Sequence, residues 1–401
     1  MAVFNMTQKI VELLAPAGNL EKLKVTVSYG CDAVYLGGEK FGLRSAADNF
    51  TNSELEEGVS FAHERGVKVY VVLNSFLYDK DLEELPPFLA FLEQLQVDAV
   101  IVSDLGVLKT VKELTNIPIH LSTQASCLNI EAGKLWKKMG AKRLILGREV
   151  SILEAAKIKR ETGLEVELFI HGSLCMAFSG NCVISNYTMG RDSNRGGCAH
   201  NCRFEYSMDF GDKKVNSFFM SSKDLMGISQ IPEFFLNEID SIKVEGRMKT
   251  HLYVGTITKT YKKAIIHFKN NHSFSSDLVT ELEAELRKVA HRDYTEGNLK
   301  TSATEDSIFD KREHLDLDYH FVGQVVEVKK GEHMLMEVRN PFYESDQLEL
   351  LPFAEKEKTF NAYPLKNILG EDVKKAHPGM VVKLPYLEGA ENFNLIRGRS
   401  L

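Results

Sequence analysis

Eight short apolar runs recur along the first two thirds of the chain, each followed by an amphipathic stretch. They are ELLAP (12–16), AVYLGG (33–38), KVYVVLN (68–74), AVIVSD (99–104), PIHLST (118–123), RLILGRE (143–149), EVELFIHG (165–172) and SIKVEGR (241–247). None alternates strictly between apolar and polar residues, as expected of parallel strands covered on both faces. Segments such as NLEKLKVTVSYG and NSELEEGVSFAHERG lie between them and repeat apolar residues at helical spacing. Asn19 and Asn52 or Ser53 are placed to cap these helices, and Gly30 and Gly66 fall where they stop. Eightfold strand–helix alternation predicts an α/β chain closed into a (β/α)8 TIM-like barrel. A doubly wound open sheet is the competing fold. It wants a glycine-rich dinucleotide turn after the first strand, and APAGNLEK is not G-x-G-x-x-G.

The seventh interval is anomalous. Between His171 and Ser241 lie about seventy residues, far more than a strand–helix connection needs, and long insertions on barrel loops usually carry function. The barrel is therefore assigned to 1–300, with a cysteine-rich insertion after the seventh strand at about 172–240. After Arg247 come helical stretches, THLYVGTITKTYKKAIIHF and SDLVTELEAELRKVAHR. From Tyr319 the texture changes to alternating apolar and polar residues, with KKGEH reading as a hairpin turn. This predicts a linker at 301–318 and a small, barrel-like antiparallel β domain at 319–401.

The chain has no run of about 18 apolar residues, so no membrane span is expected. Its N-terminus lacks a basic stretch followed by an apolar one, which implies a cytoplasmic protein. In a reducing compartment clustered cysteines are metal-binding or catalytic rather than disulfide-bonded. Four of the six cysteines, Cys175, Cys182, Cys198 and Cys202, fall within 28 residues, spaced C-x6-C-x15-C-x3-C. Four thiolates can hold a tetrahedral zinc or an iron–sulfur cluster. Zinc usually takes paired knuckles, and only the second pair here approaches one. The wide first spacing suits a bulkier cluster with each iron on its own cysteine. Four unrelated buried thiols are the plain alternative. Cys31 and Cys127, in apolar helical surroundings, read as packing residues.

In a parallel barrel the active site forms at the C-terminal ends of the strands. Those ends supply Glu12, Asn74, Asp104, His120, Gln124, Arg148, Glu149, His171, Lys243, Glu245 and Arg247. Glu245, Arg247, Arg148 and His171 are the candidate catalytic groups. A carboxylate and a guanidinium from one strand end can orient a substrate and hold an anion. A net charge of -7 excludes a generally basic nucleic-acid coat but not a local patch. Arg191, Arg195 and Arg203 interleave with the cysteines and Lys249 follows Arg247, a pattern that suits an RNA backbone. Tyr187, Phe204 or Tyr206 would stack an exposed base. The alternative is a solvated face, with arginines that offset the thiolates.

The stretch EVELFIHGSLCMAFSGNCVIS, with Glu167, Phe169, Gly172, Ser173, Cys175, Gly180, Cys182 and Ser185, resembles the signature of the collagenase-like peptidase family U-32. ELLAPAGNLEKLKVTVSYGCDAVYLGG, FGLRSAADNFT, HLSTQAS, LGREVS, SSKDL and IKVEGRMK resemble the family as well, over roughly residues 10 to 300. The C-terminal segment resembles an add-on found in some members. Members similar to this chain are oxygen-independent hydroxylases that act on tRNA wobble uridine, ribosomal RNA or ubiquinone precursors. The resemblance implies a 4Fe–4S cluster on Cys175, Cys182, Cys198 and Cys202. It also implies prephenate as a small anionic co-substrate; its two carboxylates make the cations Arg148, Arg247 and Lys243 candidate clamps. tRNA would be the macromolecular partner and 5-hydroxylation of uridine 34 the reaction, with a paralogue as a possible heteromeric partner. The family name offers a second reading, a peptidase with Cys175 as nucleophile and His171 as base. The chain has neither G-x-S-x-G nor H-E-x-x-H to support hydrolysis. A third reading is a non-enzymatic, cluster-bearing RNA-binding or assembly protein.

Overall fold

The computed structural model of the protein describes residues 11–43, 48–304, 307–308 and 318–399. Most of the expected linker at 301–318, and residues 44–47 of FGLRSAADNFT, lie outside the described residues. The strands, in chain order, begin with β1 (Glu12–Pro16), β2 (Ala33–Leu36), β3 (Lys68–Leu73), β4 (Ala99–Val102), β5 (Ile119–Leu121), β6 (Ala141–Ile145) and β7 (Glu165–Ser173). After them come β8 (Tyr206–Phe210), β9 (Lys213–Ser217), β10 (Asp224–Met226) and β11 (Ser241–Val244). β1 to β7 pair in parallel in sequence order, and β11 pairs in parallel with both β7 and β1. The eight expected strands thus close into a parallel barrel.

The helices form where polar residues can terminate them. The Asn19 side chain accepts from the Lys22 amide at 3.0 Å and starts the helix Leu20–Ser28. The next helix, Asn52–His63, is capped by Thr51 rather than by Asn52 or Ser53. Thr51 and Glu54 form a reciprocal capping box, and Asn52 is already helical. Gly30 and Gly66 follow these two helices with φ of +93° and +70°, the left-handed backbone that glycine adopts readily.

Two layers of apolar residues account for the barrel. Leu14, Tyr35, Tyr70, Val72, Ile101, Ile145 and Phe169 fill the lumen. The alternate residues, such as Leu13, Val166, Leu168 and Ile242, pack outward against helices that include His251–Asn271. Lys243 is opposite Phe169 in the β7–β11 pairing, but the next pair is Val244 with His171. Ile170 is therefore an extra residue, a bulge that re-aims the side chain after it.

The interval between β7 and β11 contains short helical turns, the helix Ile184–Met189, the β8–β9 hairpin and β10, which runs antiparallel to the end of β7. Tyr294–Thr295 adds a further parallel pairing to β10. The C-terminal residues form a seven-stranded antiparallel sheet around the hairpin Tyr319–Lys329/His333–Val338, with Lys329 opposite His333 as the KKGEH turn predicts. Its outermost strands are Lys358–Asn361 and Lys366–Asn367, at opposite edges.

This sheet packs on the helices either side of the β1–β11 closure. Tyr29, at the end of the first helix, donates to the Leu351 carbonyl at 2.6 Å and accepts from the Leu395 amide at 3.0 Å. Lys259, in the helix His251–Asn271, pairs with Glu357 at 2.7 Å. Arg397 is wholly buried between Glu285 (2.6 Å) and Glu349 (2.8 Å).

Candidate active site

A cavity of about 330 Å³ opens at the C-terminal ends of the barrel strands. Its apolar wall is the top of the lumen: Tyr35, Val72, Ile101, Ile145 and Phe169. Its polar rim brings together Asn74, Gln124, Arg148, Glu245, Arg247 and Lys249, from four widely separated segments of the sequence. The segment after β7 folds back over this mouth, and all four clustered cysteines line the cavity.

Burial raises the Cys202 thiol, the neighbouring Arg203 pulls it down, and the charges of Cys175, Cys198 and Cys182 raise it further. No three His, Cys, Asp or Glu side chains among the described residues converge tightly enough to hold a single metal ion. The four thiols nonetheless border one cavity, a donor set of the type that a cluster taking one thiolate per iron requires. Cys31 and Cys127 are buried elsewhere, and burial pushes both thiols up.

Each candidate residue has a definite place. The Arg148 guanidinium stacks on the Phe169 ring, 3.7 Å from its centroid, and donates to the Ser173 carbonyl at 3.2 Å. Arg247 donates to Asn49 at 2.6 Å and lies over Gly37, where a Cβ would stand 2.8 Å from its Nη2. Glu245 follows β11 on the same rim, and its carbonyl accepts from the Tyr253 hydroxyl at 3.2 Å. Lys249 lines the cavity and donates to the Ala290 carbonyl at 3.2 Å. Arg203 also lines the cavity, and Arg191 is exposed. Arg195 is engaged within the protein. It pairs with Asp81 at 2.8 Å and covers the Tyr78 ring at 4.5 Å, tying the cysteine-bearing segment to the loop after β3.

His171 lies elsewhere. The β7 bulge turns it to the outer face of the barrel, away from the cavity lining, where it packs against the Tyr253, Tyr261 and Tyr294 rings. Its Nδ1 is 3.2 Å from the Tyr261 hydroxyl. Burial holds the imidazole neutral and lowers its pKa from 6.5 to about 3. Between those values the unfolded chain binds a proton that the folded chain does not. The stability tied to His171 is thus complete above about pH 6.5 and declines as pH falls towards 3. In urea unfolding between pH 7 and pH 5, the wild type is expected to lose stability more steeply than His171→Gln. Parallel slopes would show that this histidine is not held neutral.

The lumen floor carries a charge network whose centre, Arg143, the sequence reading did not single out. Glu167, fully buried on β7, accepts from Lys243 Nζ at 2.9 Å and from Arg143 Nη1 at 3.1 Å. Arg143 also reaches Glu12 at 2.5 Å and Glu165 at 2.8 Å, and Tyr70 donates to Glu12 at 2.8 Å. Burial would lower Arg143, but Glu167 and Glu12 outweigh it and hold the guanidinium charged. Burial lowers Lys243, with Glu167 acting in the opposite sense. The Lys243 ammonium lines the cavity floor, 4.4 Å from the Tyr35 ring centroid. Glu12 therefore belongs to the floor and not to the rim. His120 is a core residue, edge-on to Tyr70 at 4.7 Å. The sequence signal for this network is a charged residue interrupting an apolar strand, as in AKRLI, EVELFI and SIKV.

The lining thus has five cationic side chains, Arg148, Arg203, Lys243, Arg247 and Lys249, against the carboxylate of Glu245 among the described residues. Fold and site together define a TIM-like barrel with a thiol-lined, cationic mouth. The chain matches the model of peptidase family U32 over residues 18–308 and that of the family's C-terminal domain over 318–397. It is 39% identical to tRNA hydroxylation protein P1 of Bacillus subtilis, covering 93% of this chain and 91% of that one. It is 34% identical to the 23S rRNA 5-hydroxycytidine C2501 synthase of Escherichia coli, over 85% of this chain and 52% of the other. It is 30% identical to a Porphyromonas gingivalis protein named collagenase, over 71% and 72% of the two chains. The chain belongs to peptidase family U32.

Proposed function

We propose that the protein is an RNA-modifying enzyme that 5-hydroxylates the wobble uridine of tRNA, using a 4Fe–4S cluster on Cys175, Cys182, Cys198 and Cys202. The observation that carries this reading is the meeting of all four cysteines with a cationic barrel mouth in a single cavity. Relatives named for tRNA hydroxylation and rRNA hydroxycytidine synthesis support the choice of RNA bases as substrates.

The cluster, when bound, supplies redox chemistry. The residues do the rest. A base in a stacked strand is inaccessible, so the target uridine leaves the stack to enter the mouth. Tyr35 and Phe169 offer it an apolar wall. Prephenate carries two carboxylates, and Arg148, Arg247 and Lys243, all in the cavity lining, hold its anionic oxygens. Lys243 is kept in place by Glu167. Glu245, beside Arg247, limits the excess positive charge and orients a hydroxyl or ring nitrogen.

The peptidase reading needs a base within reach of Cys175. His171 was the candidate, and it faces away from the cavity with its Nδ1 against Tyr261.

Mass spectrometry of tRNA nucleosides from a strain lacking the gene and any paralogue tests the proposal. Loss of 5-hydroxyuridine-derived nucleosides, restored by the intact gene, is the expected result. Their persistence in the deletion strain would refute it.

A further inference from the structure

β8 and β9 form a two-stranded ribbon that pairs with no other strand among the described residues. Two-stranded hairpins are marginal in water unless something covers a face. The register puts Tyr206, Met208, Phe210, Lys213 and Val215 on one face and Ser207, Asp209, Lys214 and Asn216 on the other. The first face is apolar yet open to solvent: Met208 is 38% exposed, Phe210 58% and Val215 48%. Its one charge is the cation Lys213. Asp209 is on the opposite face and Asp212 is in the turn.

The ribbon rises from the rim of the mouth. The Tyr206 hydroxyl donates to the carbonyl of Asn201, a cavity-lining residue, at 2.8 Å, and its ring meets Phe219 at 5.9 Å. An apolar face with a lone cation, beside a site that takes an extruded base, fits unpaired nucleotides. Their bases stack on aromatic and apolar side chains, and their phosphates meet a lysine. A protein partner or a second copy fits less well. Five-residue strands give a face roughly 17 Å long and about 10 Å wide. That is far short of the roughly 800 Å² per partner that a stable protein interface buries.

We propose that the β8–β9 ribbon is a stacking arm for single-stranded RNA, holding the loop nucleotides that flank the base entering the barrel. This rests on the RNA-modifying reading above and extends it to a surface outside the cavity. The test is binding of a fluorescent anticodon stem–loop RNA to the full-length protein, with a blunt duplex of equal length as control. In Met208→Ser/Phe210→Ser and in Lys213→Glu the changed side chains are exposed, so the fold should survive, which circular dichroism and visible spectra check. The double variant is expected to bind the stem–loop at least tenfold more weakly, with duplex binding unchanged. Equal stem–loop binding by wild type and variants would overturn the arm while leaving the proposed reaction standing. No binding by the wild type would overturn the RNA reading itself. Unchanged RNA binding with a fall in oligomeric mass by light scattering would assign the ribbon to a protein contact and overturn the arm.

Discussion

Cys182→Ser protein, purified without oxygen, is expected to come out colourless, iron-poor and unable to hydroxylate tRNA, while its circular dichroism matches the wild type. Cys182 lines the mouth from the segment after β7 and is half-buried, outside every hydrophobic core cluster. The barrel therefore does not need its sulfur for packing. A serine hydroxyl is a poor substitute for thiolate as a ligand to iron. The same outcome is expected for Cys175, Cys198 and Cys202, because each would hold one iron. Iron content, visible absorbance and nucleoside analysis of treated tRNA check it. Full iron loading with full activity after all four thiols are replaced by serine would remove the cluster from the account. Cys127→Ser provides the contrast. Cys127 sits in the outer core, so its replacement is expected to lower stability and leave iron unchanged.

Glu167→Ala is expected to be the most destabilising single change in the barrel. It leaves Lys243 and Arg143, both buried, without the carboxylate they share. Removing one partner of a buried pair typically costs about 3–5 kcal/mol, because the remaining charge stays desolvated. Arg143 keeps Glu12 and Glu165, so most of the loss falls on Lys243. Urea unfolding measures the effect. Glu281→Ala, which breaks an exposed pair with Lys263, is the control and is expected to cost a small fraction of it. If the two variants unfold at similar urea concentrations, the floor network is not a source of stability. Lys243→Met, which leaves Glu167 with Arg143 as its partner, separates the roles further. It should impair binding of the anionic co-substrate in protein that still folds at low temperature.

The architecture was legible because burial on both faces leaves a strong trace in sequence. All eight barrel strands lie within the apolar runs that announce them, or within two residues of those runs. The convergence of Arg148, Glu245, Arg247 and the cysteines also follows from one rule, that strand ends gather at the mouth. What escaped depends on single-residue geometry. Alternation along β7 puts His171 on the side of Glu167 and Phe169. One extra residue, Ile170, reverses it, and no pattern in EVELFIHG betrays the bulge. Arg195 looked like an RNA contact because its spacing matched its neighbours. Its engagement with Asp81 and Tyr78 depends on a loop more than a hundred residues away. The helix cap fell one residue early, on Thr51, because Glu54 completes a box only with that residue.

The clasp across the barrel seam has a bearing on how anything gains access to the interior. Tyr29, Lys259 and Arg397 bolt the C-terminal sheet to helices from both ends of the barrel sequence. Separating the sheet from the barrel would break all three contacts and uncover the buried Arg397. The way in for a substrate is then the cavity at the strand ends, where the cysteine-bearing turns form part of the doorway.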